Sequence, residues 1–83
     1  MANKSKDEVL RDAREAKRLL EDADLQRFLD ELEREIFASF LQVEAGDAAE
    51  LAKIHGRQSG IEAIRRKLRS LVDNGIVENR SAK

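Results

Sequence analysis

Between Leu25 and Val43 the chain repeats apolar residues at three- and four-residue spacing for five helical turns. Leu25, Phe28, Leu29, Leu32, Ile36, Phe40 and Val43 fall on one face, and Phe37 and Leu41 widen it. That is the period of an amphipathic α-helix, and it excludes a strand for this stretch. The 83-residue sequence contains no Pro to break a helix and is rich in Ala, Leu, Glu, Arg and Lys. The rest of the chain therefore reads as helix too, interrupted only at a few marked points.

Those points divide the chain into three helices. Ser5 with Glu8 three residues later has capping-box spacing and predicts a first helix over about residues 6–21. Its apolar line of Val9, Leu10, Ala13, Ala16 and Leu20 is narrow, the pattern of a helix that docks on something larger. Asp22 and Asp24 are both good N-caps for the second helix, predicted over about 24–45. Gly46 followed by Asp47 and Glu50 reads as a helix stop and a new capping box. The third helix is predicted from 48 to 74, ending at Gly75, with a flexible tail over 76–83. The expected fold is all-α and single-domain: a short N-terminal helix followed by a long antiparallel helical hairpin, in an oligomer.

Within the third helix, Ala52, Gly56 and Gly60 form a small-residue line. Mid-helix glycine costs about 1 kcal/mol relative to alanine. The expectation is that this line accepts the bulky Phe37 and Phe40. A kink or break across Gly56–Gly60 is the alternative reading.

Charge is segregated along the chain. Lys and Arg number 16 against 17 Asp and Glu. Residues 21–50 nevertheless hold ten acidic and two basic side chains, a balance of -8, while residues 51–72 hold six basic and one acidic, +5. In a hairpin about Gly46, Glu31 and Glu35 would fall near Arg57, and Glu21 and Asp24 near Lys67 and Arg69.

Candidate chemistry is sparse. There is no Cys and only one His, His55, which excludes thiolate metal sites, disulfides and a cysteine nucleophile. His55 has Leu51 and Ser59 as its helical neighbours, so it lacks a base or ligand partner. Asp30, Glu31, Glu33, Glu35 and Asp47 have the spacing of a solvated face, and no loop carries the alternating oxygen ligands of a calcium site. Gly56-Arg57-Gln58-Ser59-Gly60 lacks the Gly-Lys-Ser/Thr ending of a phosphate loop. No catalytic, metal or cofactor residue is expected, and the chain is read as not an enzyme. No apolar run reaches the ~18 residues of a membrane span, and the N-terminus lacks a signal-peptide core. The expected location is cytoplasmic or virion-associated, not secreted and not membrane.

Two patches are candidates for binding. Ile36, Phe37, Phe40 and Leu41 give an apolar edge wider than one partner helix usually covers, a candidate interface for self-association or for another protein. Arg57, Arg65, Arg66, Lys67 and Arg69 are candidate nucleic-acid contacts, although a pI near 5.9, the adjoining acidic stretch and the lack of Trp and Tyr disfavour that partner. Glu31, Glu33 and Glu35 allow a third reading, an acidic inhibitor of a host enzyme.

The run Ala16-Lys17-Arg18-Leu19-Leu20-Glu21-Asp22, then Leu25-Gln26-Arg27-Phe28-Leu29-Asp30 and an acidic long helix, resembles small proteins of tailed-phage and prophage head-assembly gene clusters. In those proteins a short arm leads into a helical hairpin with a small-residue segment, matched here by Gly56-Arg57 and Gly60. The similarity covers roughly residues 10–75. It implies a virion or assembly-associated interaction protein; the expected partner is a second copy of the chain or another protein, a phage structural protein among the candidates.

Overall fold

The computed structural model describes residues 4–81. It is built from α1 (Lys6–Glu21), α2 (Ala23–Leu41) and α3 (Ala48–Ser81), with no strand among the described residues. The all-α class follows from the helical periodicity and the absence of proline.

The helix starts are chemically well defined. Ser5 Oγ accepts from Glu8 N at 3.2 Å at the start of α1. Asp22 Oδ1 accepts from Leu25 N at 3.0 Å, and Asp47 Oδ1 accepts from Glu50 N at 3.1 Å. Each carboxylate or hydroxyl satisfies a backbone donor that has no partner within its helix. Asp22 is also the whole junction between α1 and α2: its extended backbone (φ -75, ψ 109) ends one helix while its side chain starts the next. Gly46, at φ +90, makes the turn before α3 in a conformation that side-chain-bearing residues rarely adopt.

Two helix ends differ from the sequence expectation. α2 stops at Leu41 rather than near 45: Gln42 N donates to Ser39 O and Val43 N to Phe40 O, which tightens the last turn. α3 does not stop at Gly75. It continues through Ile76 and Val77 to Ser81, so the expected tail is helical over 76–81, and 82–83 lie outside the described residues. No break occurs at Gly56–Gly60 either.

Packing explains why Gly75 is helical. The residue is buried, and a Cβ there would collide with Ala13 Cβ, with Ala13 Cα 3.7 Å away. Together with Ala16, which is almost wholly buried, this small-residue seam lets the backbones of α1 and α3 approach closely. α1 is the helix with which α3 packs most extensively. Gly56 and Gly60 do the opposite of what was expected. Nothing lies within 4 Å of a Cβ at either position, so they do not receive Phe37 and Phe40.

α2 also meets α3. Gln26 and Asp30 hydrogen-bond Arg65, Leu32 and Ile36 line one groove with Ile61, and Phe37 and Phe40 line another with Ile54 and His55. The result is a thin layer with extents of 57 × 31 × 16 Å. Among the described residues only four apolar side chains are buried: Ala16, Leu29, Ile54 and Ile61. The chain exposes 6550 Å² at 9.4 kDa, where a compact monomer would expose about 5,000 Å². Its radius of gyration of 17.3 Å likewise exceeds the roughly 12 Å of a compact domain.

The glycines should respond to substitution with opposite signs. Gly56→Ala gains helix propensity in open space and should stabilise by about 1 kcal/mol, a rise of about 4–8 °C in Tm. Gly75→Ala gains the same propensity but overpacks the seam at a cost of about 1–3 kcal/mol, so its Tm should fall. Circular-dichroism melts of both variants check this; equal shifts would contradict the α1–α3 seam.

Candidate functional site

The α2–α3 seam carries one cross-helix polar cluster, and Arg65 is its centre. Arg65 Nη1 donates to Gln26 Oε1 at 3.0 Å, and Nη2 donates to Asp30 Oδ1 at 3.1 Å and Glu33 Oε1 at 2.5 Å. The planar guanidinium can satisfy three acceptors from consecutive turns of one helix, which an ammonium could not do with the same geometry. Gln26 is tied back further, its Nε2 donating to Leu19 O at 3.3 Å. Arg65 is thus a register pin, half-buried in the seam.

This alters the expected charge pairing. Asp30 and Glu33 meet α3, whereas Glu31 and Asp24 pair with Arg27 on their own helix, and Glu21 pairs with Lys17. Glu35 and Arg57 do face a common groove, as expected. At the other end of the layer Lys4 Nζ donates to Asp12 at 2.6 Å, and that bond holds the Asp12 carboxyl below its ordinary value. Desolvation opposes it, and the charges of Lys4, then Arg11 and Lys67 of α3, lower it further. The favourable effect on folding is present at neutral pH and is lost as pH falls through the lowered value.

The five basic candidates do not share a face. Arg65 is occupied within the seam. Arg57, Arg66, Lys67 and Arg69 are exposed, but helical rotation puts Arg66 about half a turn from Arg57. Of the acidic trio, Glu33 is engaged by Arg65 and Glu31 by Arg27. His55 is exposed beside Phe37, Phe40 and Gln58. No group of three or more His, Asp or Glu side chains that could hold a metal ion is found among the described residues, and no described helix is long and apolar enough to cross a membrane.

The apolar candidates lie together at the C-terminal end of α2. Ile36 is half-buried, while Phe37, Phe40 and Leu41 are 61%, 46% and 67% exposed. Ile36, Phe37 and Phe40 line a shallow groove of about 200 Å³ with Ile54, His55 and Gln58. On the other side of the seam lies a larger groove of about 540 Å³, lined by Leu32, Glu35, Ile36 and Ser39 of α2 and by Arg57, Gly60, Ile61 and Ile64 of α3. Sequence reasoning missed this second groove because Leu32 sits in the apolar face of the second helix and reads as a core position. No signal in the sequence marks it. Against family models, curated proteins and solved structures, the chain matches none.

Arg65→Ala should destabilise by about 1–2 kcal/mol, because it leaves Glu33 and Asp30 side by side without their cation. Arg65→Lys should recover only part of that loss. Urea unfolding midpoints measure both; a neutral Arg65→Ala would show that the cluster does not hold the seam.

Proposed function

We propose that this chain is a non-enzymatic structural or interaction protein. In this reading α2 and α3 form an antiparallel hairpin whose edge at Ile36, Phe37, Phe40 and Leu41 packs against a helix of a partner protein. The observation that carries the reading is the edge itself. Two phenylalanines and a leucine stand in solvent beside a groove, in a chain with only four buried apolar side chains among the described residues. Contiguous exposed apolar surface of this kind is characteristic of protein–protein contact, and the helical spacing of the anchors suits helix-on-helix packing. Similarity to head-assembly proteins supports a virion or assembly setting, with a phage structural protein as the partner.

The test is site-specific photo-cross-linking in the cell of origin. A photoreactive phenylalanine analogue at Phe37 should give one discrete adduct, whereas the same probe at exposed Arg34 should give none. Phe37→Glu should abolish the adduct formed from a probe at Leu41 while shifting stability by no more than about 0.5 kcal/mol, as expected for an exposed position. Equal labelling from Phe37 and Arg34, or none from Phe37, would remove the basis of the reading.

A further inference from the structure

The larger groove differs from the Phe37 edge in one respect that identifies its occupant: its two rims carry opposite charge. Glu35 stands on the α2 rim and Arg57 on the α3 rim, with Leu32, Ile36, Ile61 and Ile64 between them. Leu32 and Ile64 are 45% and 49% exposed. Phe28, Leu32, Glu35 and Ser39 follow one line of α2, with Asp24 and Glu31 beside it, both paired with Arg27 of the same helix. On α3 the corresponding line is Arg57, Gly60, Ile64 and Lys67, preceded by Lys53, which pairs with Glu50 of its own helix.

We infer that this groove is the interface for a second copy of the same chain, related by a two-fold axis that runs along the groove. An isologous interface must be complementary to itself. A two-fold axis along the groove exchanges the rims, so the acidic α2 of each copy lies over the basic α3 of the other. Glu35 then faces Arg57 of the second copy, and the reverse contact forms at the same time. An axis across the groove would instead stack α2 on α2, with like charges opposed. Charge segregation therefore selects one orientation of the dimer.

Size agrees with this occupant. The chain exposes about 1,500 Å² more than a compact monomer of its mass, and a standard interface buries about 800 Å² on each partner. One dimer face accounts for about half of the excess and leaves the Phe37 edge outside it. Gly60 fits the same arrangement. Its open side, with nothing of its own chain within 4 Å, lies at the height of Leu32 and Ile36 and offers a notch to the facing α2. The groove shares only Ile36 with the smaller groove at the Phe37 edge, so the dimer and the partner-helix reading stand or fall separately.

Sedimentation equilibrium of the full chain from low to high micromolar concentration should show a monomer–dimer equilibrium that weakens with added salt. Glu35→Arg and Arg57→Glu, each made alone, put like charges together twice across the axis and should weaken dimerisation about tenfold or more. Mixing the two variants in equal amounts should restore a dimer with one chain of each, resolved by native mass spectrometry. That recovery separates contact between chains from contact within one chain, which mixing cannot repair. Gly60→Glu, placed in open space on a helix and so harmless to folding, should also yield monomer, because it faces the acidic α2 of the second copy. A wild-type chain that stays monomeric throughout would overturn the inference. So would single variants or Gly60→Glu that dimerise like wild type, or a mixture without preferential mixed dimer.

Discussion

The close approach of α1 and α3 at Gly75 is the constraint on which the rest of the architecture depends. With no side chain at 75 and only methyl groups at Ala13 and Ala16, the two helices approach until Ala13 fills the space a Cβ would need. Close contact between small residues recovers dispersion energy that long side chains would otherwise supply. It also anchors α1 against the C-terminal part of α3. Asp22 is a junction of one residue, so anchoring α1 limits where α2 can begin. From there α2 meets the remaining part of α3 under a different rule, in which a polar cluster around Arg65 joins the two helices beside the buried Leu29, Ile54 and Ile61. One end of the layer is tight and apolar; the other is looser, polar-pinned and open on both sides.

Much of this was legible in the sequence. The three helices, their caps at Ser5, Asp22 and Asp47, and the turn at Gly46 all follow from local chemistry, which acts over four residues or fewer. What was not legible depends on which helix lies against which. Gly75 and Gly60 are indistinguishable as letters: each is a glycine in a helical pattern. One is held by Ala13 from across the layer and the other faces solvent. The Phe37 edge could be found because its residues exceed the width of one stripe. The charge-edged groove could not, since Leu32 and Ile64 look like ordinary core positions until the fold leaves them uncovered. Arg65 was read as one of a basic run, and only the arrival of Gln26, Asp30 and Glu33 separates it from Arg66 and Lys67.

The two open sides also divide the functional readings. A nucleic-acid surface needs several cations on one face, and here the arginines and lysines of α3 are distributed around the helix, with one spent internally. A protein surface needs apolar anchors flanked by polar groups, and both sides of the α2–α3 seam have them. The larger groove adds Glu35 and Arg57, charges of opposite sign, which fit the self-complementarity of the proposed dimer.

The thinness of the layer has a consequence for the life of the chain in a cell. With four buried apolar side chains among the described residues, little separates the folded molecule from its open forms. Any association that covers a side adds to that margin by mass action. A molecule left over, without a companion, spends more time open and is cleared by proteases sooner. If the chain associates as proposed, its abundance would then follow the supply of binding surface rather than the rate of synthesis.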